Sequence, residues 1–196
     1  ALEECGLIIP AGKYVLGRAM AFCKRIRNVI PDFKVNVNVS FVQVLKSPFV
    51  TDFCRLLSEY DLTPDCITIE LTESGALEDS KQIHKVWDNL REYGVSIALD
   101  DFGTGYSNLM NISAMAPNVV KLDRGFTVKA LKNGFERDLM ANIIYMVHSL
   151  GLKICVEGVE TEDELKQILV LNPDYIQGYY YGRPCSESEF IENLNL

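Results

Sequence analysis

Two aspartates stand side by side, Asp100 and Asp101, where the apolar run of "SIALDDFGTG" (96–105) gives way to glycines. Like charges this close repel and take up protons unless something compensates them. Five other short apolar runs also carry a polar residue near their end. They are Asn38 in "VNVNVS" (35–40), Glu70 in "CITIEL" (66–71), Lys121 in "VVKLD" (119–123), Glu157 in "KICVEG" (153–158) and Gln177 in "YIQGYYY" (175–181). Brought together, Glu70, Asp100, Asp101 and Glu157 form a carboxylate set that a hard divalent cation would stabilise. Asn38 adds a neutral oxygen, and such oxygen-rich sets select Mg²⁺ or Mn²⁺. Two adjacent carboxylates can reach two ions, and a pair about 3.5–4 Å apart suits phosphodiester hydrolysis. Lys121 could then stabilise transition-state charge or orient the water.

Taken singly, each residue has an ordinary alternative. Adjacent aspartates before glycine cap and form turns. A lone lysine is usually solvated, and Asn38 could sit in a strand-end turn. Glu160, like Glu162 and Glu164, could be charge near a helix start. His84 and His148 fall within helical patterns and read as structural. The case for a site rests on agreement among the six run ends.

That agreement needs elements to position it. Side chains alternate across a strand. One parity is aliphatic: Val35, Val37, Val39, Ile67, Ile69, Ile97, Leu99, Val120, Leu122, Ile154, Val156 and Ile176. The other turns polar toward each C-terminal end. Between the runs lie amphipathic helices. One covers 81–94, with Ile83, Val86, Trp87, Leu90 and Tyr93 on one face, and stops at Gly94; another covers 137–151 and stops at Gly151. A third covers 161–171, with Thr161 as N-cap and Glu164 completing a capping box. A further helix lies near the N-terminus. Strand and helix in alternation, with short loops, mean parallel βαβ units. An open doubly wound sheet would be aliphatic on both faces. A polar ring at strand C-termini is the catalytic face of a (β/α) barrel. The expected fold is α/β, a TIM-like (β/α) barrel that is incomplete, with about six βα units and the first two strands missing. The segment 102–118 is long for a βα loop, and such loops often carry function.

The 196 residues fit one domain, here 1–196. A net charge of −8 argues against duplex nucleic acid or an anionic membrane as partner. No apolar stretch reaches the roughly 20 residues of a membrane span, so no direct membrane insertion is expected in this segment. None of the six cysteines forms a C-x-x-C pair, and they read as reduced, core-packed thiols of a cytoplasmic protein. The chain has no initiator Met and reads as a piece of something longer.

At these residues the sequence closely resembles the EAL-domain family of cyclic di-GMP phosphodiesterases. "DDFGTGYSNL" (100–109) is similar to that family's DDFGTGYSSL, with Asn108 in place of a Ser. "VNVS" (37–40), "ELTES" (70–74), "VVKLD" (119–123), "VEGVET" (156–161) and "IQGYYYGRP" (176–184) resemble its other motifs, in family order. The resemblance implies a Mg²⁺- or Mn²⁺-dependent enzyme with a two-metal site that opens cyclic di-GMP to linear pGpG. By position it implies Asn38, Glu70, Asp100, Asp101 and Glu157 as metal ligands and Lys121 as the catalytic lysine. Glu160 would contact substrate or support the metals. Glu73 and the 102–109 loop would order the Asp pair and couple it to dimerisation. Gln177, Arg183 and the loop residues Gly103, Thr104 and Gly105 would face substrate. A homodimer, fused upstream to sensory or GGDEF-type domains, is the implied context.

One departure stands out. The Glu-Ala-Leu motif that names the family should lie upstream of residue 1, and "ALEE" is not it. The expectation is therefore a chain without that ligand, the adjacent arginine and the first two strands. Such a chain would be a piece of an active phosphodiesterase, a non-catalytic cyclic di-GMP receptor, or a dimerisation remnant. The retained catalytic residue types favour the first. Open barrel edges would make it pair with another copy, rearrange its terminal elements, or be only marginally stable.

Overall fold

The computed structural model describes residues 2–72, 81–104, 112 and 115–194, with the side chains of 81–83 set aside. Glu73 and Gly105 lie outside the described residues, as does most of the segment 105–114. The elements are α1 (Ile8–Arg27), β1 (Val35–Asn38), α2 (Phe41–Lys46), α3 (Phe49–Glu59), β2 (Ile67–Thr72), α4 (Lys81–Glu92), β3 (Ser96–Phe102) and β4 (Val119–Leu122). They continue with α5 (Arg124–Lys132), α6 (Gly134–Ser149), β5 (Lys153–Glu157), α7 (Glu162–Leu169), β6 (Tyr175–Gln177) and α8 (Glu187–Asn193). No described helix is long and apolar enough to cross a membrane.

The six strands form one sheet in the order β1-β2-β3-β4-β5-β6, and every pairing is parallel. A doubly wound sheet reverses its order at a switch point. This one does not, so it is an arc of a barrel. The alternation explains the curvature. Ile67, Ile69, Ile97, Leu99, Val120, Leu122, Ile154 and Val156 are all fully buried in one core with the helices. Each such burial contributes about 1.5–3 kcal/mol. The opposite face, with Asn36, Asn38, Ser96, Lys153 and Gln177, is concave and only partly covered.

Local chemistry sets the boundaries. Gly94 and Gly151 take left-handed φ values of 82° and 73° and end α4 and α6 as expected. The capping box of α7 forms: Thr161 Oγ1 accepts from the Glu164 amide, and Glu164 Oε2 accepts from the Thr161 amide. Three expectations are corrected. The strand expected over 35–40 stops at Asn38, because Ser40 leaves it to cap α2 in a box with Gln43. The strand expected over 175–181 is only Tyr175–Gln177. There Gly178 brings the backbone onto the turn after β5, where an added Cβ would lie 2.0 Å from the carbonyl oxygen of Val159. Tyr180 then donates to that carbonyl and the chain turns away. Trp87 and Leu90 are buried as the α4 face requires, but Tyr93 lies past the helix end and is exposed. Of the six cysteines, Cys23, Cys66 and Cys155 are core thiols and Cys54 is half-buried, whereas Cys5 and Cys185 are exposed.

Candidate active site

Parallel register staggers the strand ends, with Glu70 opposite Ala98 and Lys121 two residues short of the Glu157 level. Asn38 pairs with Glu70, Thr72 with Asp100, Lys121 with Cys155, and Glu157 with Gln177. Three carboxylates and one ammonium therefore meet on the concave face. Lys121 Nζ lies 2.9 Å from Glu70 Oε1, 3.0 Å from Asp100 Oδ1 and 2.7 Å from Glu157 Oε1. Lys121 is 3% exposed, which sets aside the ordinary solvated lysine. Glu70 and Asp100 are buried with it.

Burial alone would lower the Lys121 pKa, since it disfavours the charged form. Glu157 and then Glu70 more than reverse this and hold the ammonium above the ordinary lysine range. Burial pushes the Glu157 carboxyl up, Lys121 opposes it, and Asp100 and Glu70 add to it. Cys155, on the same face, is pushed up to about 12 by burial and the neighbouring Glu157, so its thiol is neutral. One ammonium against three carboxylates leaves an excess of negative charge.

The three carboxylates are not equally satisfied. Glu70 Oε1 also accepts from Asn36 Nδ2 at 2.8 Å, and Asp100 Oδ1 from the Asp101 amide at 3.0 Å. Among the described residues, the buried Glu157 Oε1 has no polar partner besides Lys121. Among the described residues no three Asp, Glu, His or Cys side chains stand ready around one ion. What three of them surround is the lysine. The donor set nevertheless fits a hard divalent cation: oxygens only, more carboxylates than ammonium groups, and one buried carboxylate oxygen with no partner besides that ammonium among the described residues.

The remaining sequence-derived residues lie around this cluster to different degrees. Asp101 adopts φ 59°, uncommon outside glycine and tolerated best by Asn and Asp. Its neighbour Gly103 has φ 104°, and a Cβ there would press on Phe126 at 3.3 Å. Thr104 is exposed. Asn38 is exposed and, with Thr72 and Ser40, lines a cavity of about 490 Å³ beside α1. Glu160 is not in the cluster. It pairs with Arg124, and its amide donates to Glu164 Oε2 at 2.7 Å. Gln177 and Arg183 line a larger cavity of about 740 Å³ in the hollow of the sheet, together with Lys34, Asn36 and Lys121. There Arg183 stacks over the Tyr179 ring, 4.5 Å from its centroid.

Sequence reasoning missed Asn36 and Arg124. Asn36 carried a signal, being two residues before Asn38 on the same strand face. Arg124 carried none, since its partner is set by how the α5 start meets the turn after β5.

Comparison with known proteins identifies the architecture. The family model described as "EAL domain" matches residues 1–184. The chain belongs to the EAL domain family. A sequence relative of this EAL domain is the bifunctional diguanylate cyclase/cyclic di-GMP phosphodiesterase MucR of Pseudomonas aeruginosa. It is 31% identical over 196 residues, which cover 98% of this chain and 28% of MucR. The chain thus spans little more than a quarter of that relative's length. The structure of EAL enzyme Bd1971 with cAMP and cyclic di-GMP bound superposes on it with a TM-score of 0.93 at 26% identity. That match covers 100% of this chain and 54% of the other. The Klebsiella pneumoniae BlrP1 complex with manganese and cyclic di-GMP at pH 6 gives a TM-score of 0.83 at 26% identity, covering 90% and 44%.

Proposed function

We propose that this EAL domain, taken as the single unit 1–196, is a phosphodiesterase that opens cyclic di-GMP to linear pGpG. The observation that carries the reading is the set of Glu70, Asp100 and Glu157, from three strands, all within 3.0 Å of the buried Lys121. Further support comes from similar proteins: MucR is named as a cyclic di-GMP phosphodiesterase, and BlrP1 has been solved with manganese and the dinucleotide.

In this reading Glu70, Asp100, Asp101, Glu157 and Asn38 hold Mg²⁺ or Mn²⁺. The bound ions supply positive charge that offsets the carboxylates, polarises the phosphodiester and acidifies water. The chain's own groups do the rest. The water oxygen bonds to phosphorus and the water gives up a proton while one P–O bond of the ring breaks and the departing oxygen takes up a proton, so that the elements of one water are added across that bond. Lys121, held charged by its carboxylates, donates N–H bonds to the oxygens on which charge grows. Glu160, Gln177, Arg183, Gly103 and Thr104 orient the dinucleotide, and Arg183 is carried on the Tyr179 ring. Glu73 and Gly105 belong to the same reading by sequence. In this reading the whole protein acts in the cytoplasm as a homodimer joined to upstream signalling domains; the name of MucR, which pairs a diguanylate cyclase with a phosphodiesterase, supports a second signalling activity on one chain.

The test is incubation of the chain with cyclic di-GMP and Mn²⁺ beside an Asp100→Asn control, with pGpG followed by chromatography. Turnover that disappears in the control supports the reading. Metal-dependent binding without turnover makes the domain a cyclic di-GMP receptor. Absence of both turnover and binding overturns the reading.

A further inference from the structure

We propose that Asn36 is a positioning residue that fixes the orientation of Glu70 for a divalent cation; this rests on the metal-site reading above. Asn36 is one pleat back from Asn38 on the concave face of β1. Because Asn38 stands opposite Glu70 in the register and Asn36 opposite Thr68, Asn36 is the diagonal neighbour of Glu70. Diagonal neighbours lie within side-chain reach. The amide Nδ2 meets Glu70 Oε1 at 2.8 Å. An ionised carboxylate only accepts, so the amide must present its NH₂.

The same oxygen also faces Lys121 Nζ at 2.9 Å. Glu70 Oε1 thus has two donors of different kinds, one charged and one neutral. Asp100 Oδ1 repeats the pattern, with Lys121 at 3.0 Å and the Asp101 amide at 3.0 Å. Glu157 Oε1 has only the ammonium. The difference matters when a dication approaches. It repels an ammonium but not a neutral amide. The Asn36 contact is therefore the one that survives, and it prevents the Glu70 carboxylate from rotating when Lys121 withdraws. Partners of this kind, outside the ligands themselves, commonly alter metal affinity about 10–100-fold when removed.

Mn²⁺ binding by calorimetry tests this on five proteins: wild type, Asn36→Leu, Asn36→Gln, Glu70→Gln and the Asn36→Leu/Glu70→Gln double variant. Asn36→Leu keeps the shape and removes the donor. Its dissociation constant for Mn²⁺ is expected to rise about tenfold, while Asn36→Gln, which keeps the NH₂, recovers most of the loss. In the Glu70→Gln background Asn36→Leu is expected to add nothing, because no carboxylate remains to be oriented. A purely structural asparagine would show the same loss in both backgrounds, and that result overturns the proposal. So does wild-type affinity in Asn36→Leu. Metal-free melting checks folding, and Asn36→Ala replaces the leucine variant if that protein does not melt cooperatively. Absence of Mn²⁺ uptake by wild type overturns the metal-site reading and this inference together; uptake unaffected by Asn36 overturns this inference alone.

Discussion

Lys121 Nζ and Glu157 Oε1 stand 2.7 Å apart, and among the described residues that buried carboxylate oxygen has no other polar partner. Three carboxylates compete for one ammonium, and geometry lets it serve some better than others. The cluster is a site whose charge is incompletely balanced by the chain itself, and the consequences can be measured.

Replacing Lys121 by Met should separate its two roles. Breaking a buried charge cluster by removing one partner costs about 3–5 kcal/mol, so the metal-free variant should melt well below wild type. Saturating Mn²⁺ should restore much of that loss, since the carboxylates regain a cation. Turnover should stay at least about 100-fold down, the usual cost of losing one preorganised transition-state donor. Paired melting curves and pGpG assays check both halves.

Gly178→Ala should destabilise the C-terminal part of the sheet. Its Cβ would lie 2.0 Å from the Val159 carbonyl oxygen and 2.5 Å from the Val159 nitrogen, both backbone atoms that cannot swing aside. Overpacking of this kind costs about 1–3 kcal/mol or more, so a lowering of Tm by several degrees is expected by calorimetry. Gly134→Ala, where a Cβ meets nothing within 4 Å, is the control.

Asp174 gives a pH signature away from the Lys121 cluster. Burial raises its pKa, but the Ile154 amide at 2.9 Å and His148 Nε2 at 2.9 Å outweigh this and hold it below the ordinary carboxylate value. A depressed folded-state pKa means stability that is present above the unfolded pKa and lost as pH falls through the folded one. Asp174→Asn should therefore melt lower than wild type at pH 6. The gap should narrow as pH falls below about 4, the unfolded carboxylate value. A constant gap from pH 6 to pH 2.5 would refute it.

Among the described residues, strands β1 and β6 each have a neighbour on one side only. Unpaired strand edges are templates for association, and we expect this chain to elute as a dimer or larger species in size-exclusion chromatography with light scattering. A cooperatively melting monomer across the micromolar range would count against it.

Much of this was legible in the sequence because strand alternation is a strict code. The parity of Ile69, Leu99, Val120 and Val156 assigned the buried face, and the same rule placed Glu70, Asp100, Lys121 and Glu157 on the other. What stayed hidden depends on encounters between distant segments. Nothing local in "YIQGYYY" announces that Gly178 must yield to Val159. That Ser40 caps α2 was in principle visible as S-x-x-Q, but it competed with a convincing strand pattern. The burial of Lys121 followed only once the sheet brought carboxylates from β2, β3 and β5 to it, and the pairing of Glu160 with Arg124 joins residues 36 positions apart.

The strand order of the sheet repeats the order of the sequence. Every strand after the first therefore pairs with one that the ribosome has already released, and none waits for a partner still to be translated. Domains are made N-terminus first at a few residues per second, so this arc can grow one strand at a time during synthesis. The exposed edge simply moves forward with the nascent chain.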